Sequence, residues 1–145
     1  MSQKYYFAYG SNMDGEQMRN RCPGAEQVSV GMIEGWRFRI NTRGVATIVP
    51  DNGGTVYGII WRISKDEEQV LDCYEGVKMG LYTKRTMEVR LIGVPSLEAF
   101  LYLATDTQPG TPRPGYMEAI VAAAISNDFP SSYVQELRTW CTTDV

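Results

Sequence analysis

KYYFAYGSNM, residues 4–13, decides how the chain begins to fold. An aromatic, apolar segment runs straight into Gly10, Ser11 and Asn12, residue types that end strands and open turns. Asp14 to Arg21 follows as a short polar, helix-like segment. A strand, a sharp turn and a helix start in this order can present consecutive backbone N–H groups to an anion, with Ser11 and Asn12 adding side-chain donors. Ser11 does not read as a nucleophile, because its surroundings do not match G-x-S-x-G and the chain contains no histidine to activate it.

That missing histidine constrains the chemistry more than any other feature of the composition. Catalytic triads, Cys-His pairs and histidine-ligated zinc are excluded, so proton transfer near neutral pH falls to a carboxylate, Lys, Tyr or Cys with a shifted pKa. Cys22, Cys73 and Cys141 are odd in number, widely spaced and form no C-x-x-C pair. They read as reduced, small buried hydrophobes rather than as a disulfide framework, a metal site or a nucleophile. The chain has 145 residues, 43% of them hydrophobic and 21% charged, which suits one globular domain over 1–145 with no repeat or linker. Its net charge is −3, with Lys and Arg scattered rather than in a block, so nucleic acid is not an expected partner. The longest purely apolar run, Ala119 to Ile125, is too short to cross a bilayer, and the N-terminus lacks a basic stretch followed by an apolar one. A cytoplasmic location with no membrane partner is expected.

Strand patterns dominate the first two-thirds: Lys4 to Tyr9, Gly35 to Asn41, Val45 to Val49, Thr55 to Ile63, Leu81 to Ile92 and Glu98 to Ala104. Met87, Val89 and Leu91 alternate with polar neighbours, the period of a half-buried strand. "DNGG" at Asp51 to Gly54 reads as a tight hairpin between two β-branched runs. Ser64 opens "SKDEEQVLDCYEG" with Glu67 three residues on, a capping box, and Gly76 supplies the stop. A second helix is expected near Pro114, with Met117, Ile120, Val121, Ala124 and Ile125 on one face. A third follows Pro130, with Val134, Leu137 and Cys141 at helical spacing. The order predicts an α+β domain whose mostly antiparallel or mixed sheet closes into a small barrel.

Glu75 sits at the C-terminal end of the capped helix, where the dipole is negative, amid Tyr74, Val77, Met79, Leu81 and Tyr82. Dipole and desolvation both disfavour its charged form, so its pKa is expected to rise toward the range of a general acid or base. Asp66, Glu67 and Glu68, at the opposite end, read as structural.

Taken together, "YFAYGSN", "GVATIVP" at 44–50, "VYGIIW" at 56–61, "EGVKMGLY", Tyr116 after Pro114 and "FPSSYVQEL" at 129–137 resemble the γ-glutamylcyclotransferase family, in order and over nearly the whole chain. The resemblance implies a five- or six-stranded mixed β-barrel flanked by helices. It also implies conversion of γ-glutamyl compounds to 5-oxoproline, without metal or cofactor, by a homodimer. It places a substrate loop on Tyr6, Phe7, Ala8, Tyr9, Gly10, Ser11 and Asn12, a catalytic glutamate on Glu75, and substrate-contacting aromatics on Tyr82 and Tyr116. Whether the Gly10-Ser11 turn holds the α-carboxylate or the developing oxyanion stays open. The loop from Asn41 to Gly44 is shorter than in the family's animal enzymes and the tail after Trp140 is brief, which leaves the leaving group open between an amino acid and a primary amine. A non-catalytic small-molecule or protein-interaction barrel is the reading from another class; Glu75 together with Tyr9-Gly10-Ser11-Asn12 speaks for turnover.

Overall fold

The aromatic run forms β1, Gln3–Ala8, in a computed structural model that describes residues 3–91 and 94–141. The other strands are β2 (Glu26–Ile40), β3 (Ala46–Ser64), β4 (Tyr82–Leu91) and β5 (Val94–Ala104). They close into a barrel in the order β1-β3-β2-β4-β5. Neighbours run antiparallel except at the closure, where β1 meets β5 in parallel with Tyr6 opposite Phe100. The closing contacts, Tyr6 with Phe100 and Gly31 and Met32 with Leu91 and Arg90, cover part of the sheet edges that a strand-rich sequence leaves exposed. Ile92, the last residue of one expected strand, lies outside the described residues.

Helices α1 (Gly15–Arg21), α2 (Lys65–Tyr74), α3 (Tyr116–Ser126) and α4 (Ser131–Arg138) flank the barrel. None is long and apolar enough to cross a membrane. The Ser64 capping box forms as its sequence dictates: Ser64 Oγ accepts from the Glu67 N–H at 3.2 Å, and Glu67 Oε1 accepts from the Ser64 N–H at 3.1 Å. α2 ends at Glu75, and Gly76 follows in the left-handed region at φ 65°.

Four local expectations are corrected. Asp51 to Gly54 is not a hairpin; the runs on either side of it belong to one strand, β3, and both pair with β2. Glu34 faces Thr55 and Trp36 faces Pro50, so the four residues bulge out opposite Gly35 alone. The two flanking runs do not fold back on each other, because each pairs with β2 instead. The first half of β2, from Glu26, is likewise strand although its polar residues and glycines hid the pattern. Ile125 is 50% exposed. It lies about 80° around α3 from Met117, at the margin of the buried stripe. Cys73 is exposed on the outer side of α2, whereas Cys22 is buried as expected and Cys141 is half-buried.

β1 and β3 pack their middle residues closely. A Cβ placed on Gly58 would lie 2.4 Å from the Ala8 carbonyl oxygen and 2.8 Å from the Phe7 ring. Gly58→Ala is therefore expected to destabilise the fold by about 1–3 kcal/mol, read as a lower urea midpoint at unchanged m-value.

Candidate active site

β1 delivers its last residues to a tight 3-10 turn, Ser11–Met13, closed by a 3.0 Å bond from the Met13 N–H to the Gly10 carbonyl. The Ser11 and Asn12 N–H groups precede that first bond and are left without a partner inside the turn. Gly10 is needed for a close approach: a Cβ there would stand 3.1 Å from Ala46 Cβ and 3.5 Å from the Tyr116 hydroxyl.

Asn12, 2% exposed, fixes the turn through its side chain. Its Nδ2 donates to the Tyr6 hydroxyl at 3.1 Å, and its Oδ1 accepts from Gln17 Nε2 at 3.1 Å and Arg21 Nη1 at 3.0 Å. Trp61 Nε1 donates to the Asn12 carbonyl at 3.1 Å. Tyr6 and Trp61 are opposite one another across β1 and β3, so both point to the side on which the turn folds back. Alternation turns Phe7 to the other face of the strand, where it is fully buried. Ala8 is buried too, and neither residue lines the cavity described next.

Tyr6, Tyr9, Gly10, Ser11 and Asn12 border a cavity of about 310 Å³, and Glu75, Tyr82 and Tyr116 border it from other elements. The Tyr82 hydroxyl donates to the Ala46 carbonyl at 2.8 Å, and the Ala46 N–H donates to the Tyr116 hydroxyl at 2.9 Å. The backbone of one residue at the start of β3, Ala46, thus orients both rings. The Tyr9 hydroxyl donates to the Tyr102 carbonyl, and the Tyr102 hydroxyl donates to Asp72 Oδ1 at 2.7 Å. Burial holds all of these phenols above their ordinary pKa, Tyr116 at about 12, so they donate hydrogen bonds as neutral groups near pH 7.

Glu75 is the carboxylate among the lining side chains. Burial pushes its pKa up to about 7, against the opposing pull of Arg21 and Arg43. A carboxyl group poised there exchanges a proton readily at neutral pH. Among the described residues no group of three or more His, Cys, Asp or Glu is arranged to hold a metal ion.

Sequence reasoning missed Arg21, Arg43, Arg113 and Tyr102, all of which line the cavity. None belongs to a motif of its own. Arg43 and Arg113 do, however, flank segments that already stood out, "GVATIVP" and the Pro114–Tyr116 stretch.

A small closed barrel with a histidine-free cavity, one elevated carboxyl and a turn of unused N–H groups defines an acid-base site built for a small polar substrate. Residues 55–137 match the AIG2-like family. The chain is 31% identical over 143 residues to the γ-glutamylcyclotransferase of Mus musculus and 29% identical to that of Homo sapiens, covering 92% of this chain and 76% of each relative. A solved structure of a γ-glutamyl cyclotransferase aligns with a TM-score of 0.91 at 28% identity, over 99% of this chain and 91% of that one. A yeast γ-glutamyl cyclotransferase specific to glutathione shares the fold at a TM-score of 0.64 and 14% identity, over 94% of each chain. The chain belongs to the γ-glutamylcyclotransferase family of enzymes.

The elevated Glu75 pKa has a thermodynamic consequence. Between about pH 4.5, its ordinary value, and about pH 7, the native state holds more protons at this position than the unfolded state. Glu75 therefore makes stability fall as pH rises through that window. Glu75→Gln is expected to be more stable than the parent at pH 8, with the gap closing by pH 4.5, in urea titrations of both proteins at several pH values.

Proposed function

We propose that this protein cyclises γ-glutamyl amino acids or peptides to 5-oxoproline and releases the free amino acid, with Glu75 as the proton-transferring group. The position of Glu75 in the cavity that Gly10, Ser11 and Asn12 also line carries this reading. The chemistry suits a site without histidine, since the nucleophile is the substrate's own α-amino group. That nitrogen bonds to the γ-carbonyl carbon, the bond from this carbon to the leaving nitrogen breaks, and a five-membered lactam results. An α-ammonium cannot attack, so Glu75 takes one proton from it, and as the ring closes a second proton passes from the attacking nitrogen to the departing one; the lactam keeps a single N–H, the released amine takes up the first proton, and the carboxylate ends as it began. No covalent enzyme intermediate is required.

The remaining task is to hold the glutamyl chain folded on itself. Orientation of this kind contributes up to about 7–11 kcal/mol in intramolecular reactions. Tyr6, Tyr82 and Tyr116, each held through its hydroxyl by Asn12 or Ala46, provide rigid walls for that purpose. Gly10, Ser11 and Asn12 line the same cavity, and the N–H groups of Ser11 and Asn12, unused inside the turn, are the donors assigned to the α-carboxylate or the oxyanion.

The test is 5-oxoproline release from γ-glutamyl-L-alanine, glutathione and γ-glutamyl-ε-lysine. Turnover is expected to rise with pH through about 7 as Glu75 ionises, and to drop by about 10²–10⁴-fold or more in Glu75→Gln. Ser11→Ala is expected to cost less than Gly10→Val, which pushes a side chain against Ala46 and Tyr116. Folded protein that releases 5-oxoproline from none of the three, or a fully active Glu75→Gln, would overturn the assignment.

A further inference from the structure

Three guanidinium groups line the cavity against the single carboxylate of Glu75: Arg21, Arg43 and Arg113. They are not equivalent. Arg21 belongs to the side formed by the Gly10–Met13 turn, where it donates to Asn12 and lies 4.4 Å over the Tyr74 ring. Arg43 and Arg113 come from two other loops that grip each other. Arg113 Nε donates to the Arg43 carbonyl at 3.0 Å, and the Arg113 N–H donates to the Gly44 carbonyl at 3.1 Å.

Beneath this pair lies Asn41, fully buried. Its Oδ1 accepts from the N–H groups of Arg43 at 3.0 Å and Val45 at 3.3 Å, while its Nδ2 donates to the Asp106 carbonyl at 3.0 Å. The backbone that carries Arg43 is thereby fixed. Arg43 Nη1 is nevertheless buried with no hydrogen-bond partner. Neither Arg43 nor Arg113 makes an ion pair among the described residues. The nearby Asp106 carboxylate is engaged elsewhere, by the Thr42 hydroxyl and by the Gln108 N–H at 3.0 Å.

A buried guanidinium N–H without an acceptor is costly, and the group that satisfies it best is a carboxylate. Charge then separates the substrate classes. The glutamyl half of any substrate brings one carboxylate and one ammonium. A leaving amino acid adds a second carboxylate, whereas a leaving amine adds none. With Arg21 placed on the side of the Gly10–Met13 turn, two guanidiniums remain for that second carboxylate.

We infer that Arg43 and Arg113 form the subsite for the carboxylate of the leaving amino acid and so select γ-glutamyl amino acids over γ-glutamylamines. This rests on the cyclotransferase reading above. The subsite stands on the loop that distinguishes this chain, Asn41 to Gly44, so leaving-group choice is set by its length and by the residue at position 43.

The experiment compares kcat/KM for γ-glutamyl-L-alanine and γ-glutamyl-L-alaninamide, which differ only in the carboxylate. The parent is expected to favour the acid by about tenfold or more. That ratio should collapse toward one in Arg43→Gln or Arg113→Gln, mainly through KM, and be partly kept in Arg43→Lys. Arg43 also acts on Glu75, but any resulting shift of the base affects both substrates alike and cancels in the ratio. Arg113 is exposed, so its variant decides the matter should an Arg43 variant fail to fold. A parent enzyme that turns over both substrates equally, or a ratio unaltered by either glutamine substitution, overturns the inference while leaving the cyclotransferase standing. Absence of 5-oxoproline from both substrates overturns the functional reading and this inference with it.

Discussion

The hydrogen bonds of Asn12, through its side chain and its carbonyl, fasten the turn and α1 to the paired strands β1 and β3. Tyr6 comes from β1, Trp61 from β3, and Gln17 and Arg21 from α1; all four bond to this one residue. Burying a primary amide is expensive unless it is hydrogen-bonded, and here Tyr6 takes one of its donors while Gln17 and Arg21 share its acceptor. Any conformation of the turn that moved Asn12 outward would strand several buried polar groups at once. The turn is therefore held in the one geometry that leaves the Ser11 and Asn12 N–H groups free, and the site inherits its shape from that constraint.

Two glutamates on and beside α2 show how environment, not residue type, divides structural from chemical roles. Glu68 is 5% exposed, and burial alone would raise its pKa. Hydrogen bonds and charge from Lys84, at 2.5 Å, and from Lys4 outweigh that and bring it below its ordinary value. Seven residues on, Glu75 meets burial with only the more distant pull of Arg21 and Arg43, and its pKa rises. The first carboxylate ties α2 to the barrel. The second is kept under-compensated, a local cost in stability of the kind that accompanies acid-base sites.

The elements with local signals were legible in the sequence. The strand into Gly-Ser-Asn, the Ser64 capping box, the Gly76 stop and the helices after Pro114 and Pro130 each depend on residues within a few positions of one another, and each forms where expected. What was hidden depends on pairing. Asp51 to Gly54 has the chemistry of a hairpin, yet β2 claims both flanking runs, so tertiary pairing overrides the turn signal. The first half of β2 carries glycine where the barrel demands close contact: a Cβ on Gly31 would lie 2.6 Å from Val89 Cγ1. A residue chosen for space rather than propensity gives no strand signal. Arg43 and Arg113 were invisible for a related reason, since their meeting is made by two loops 70 residues apart in sequence.

Those loops explain why a barrel alone would not suffice for the reaction. The segments that carry Arg43, Arg113 and the approach to Tyr116 have no regular structure of their own, and a flexible loop would spread any ligand contact over many geometries. Asn41 removes that freedom as Asn12 does on the opposite side. A fully buried amide bonds to the backbone on both sides of it, and a bridge from Asn41 to Pro109 with the Gly110 N–H on the Ile40 carbonyl, at 2.9 Å, extends the anchoring. The N–H and carbonyl of Ala46 position Tyr116 and Tyr82. For an intramolecular cyclisation, where the enzyme supplies geometry and a proton carrier but no nucleophile, rigidity of the walls is the main catalytic resource. Two buried amides and the backbone of one residue, Ala46, supply it with very little chain.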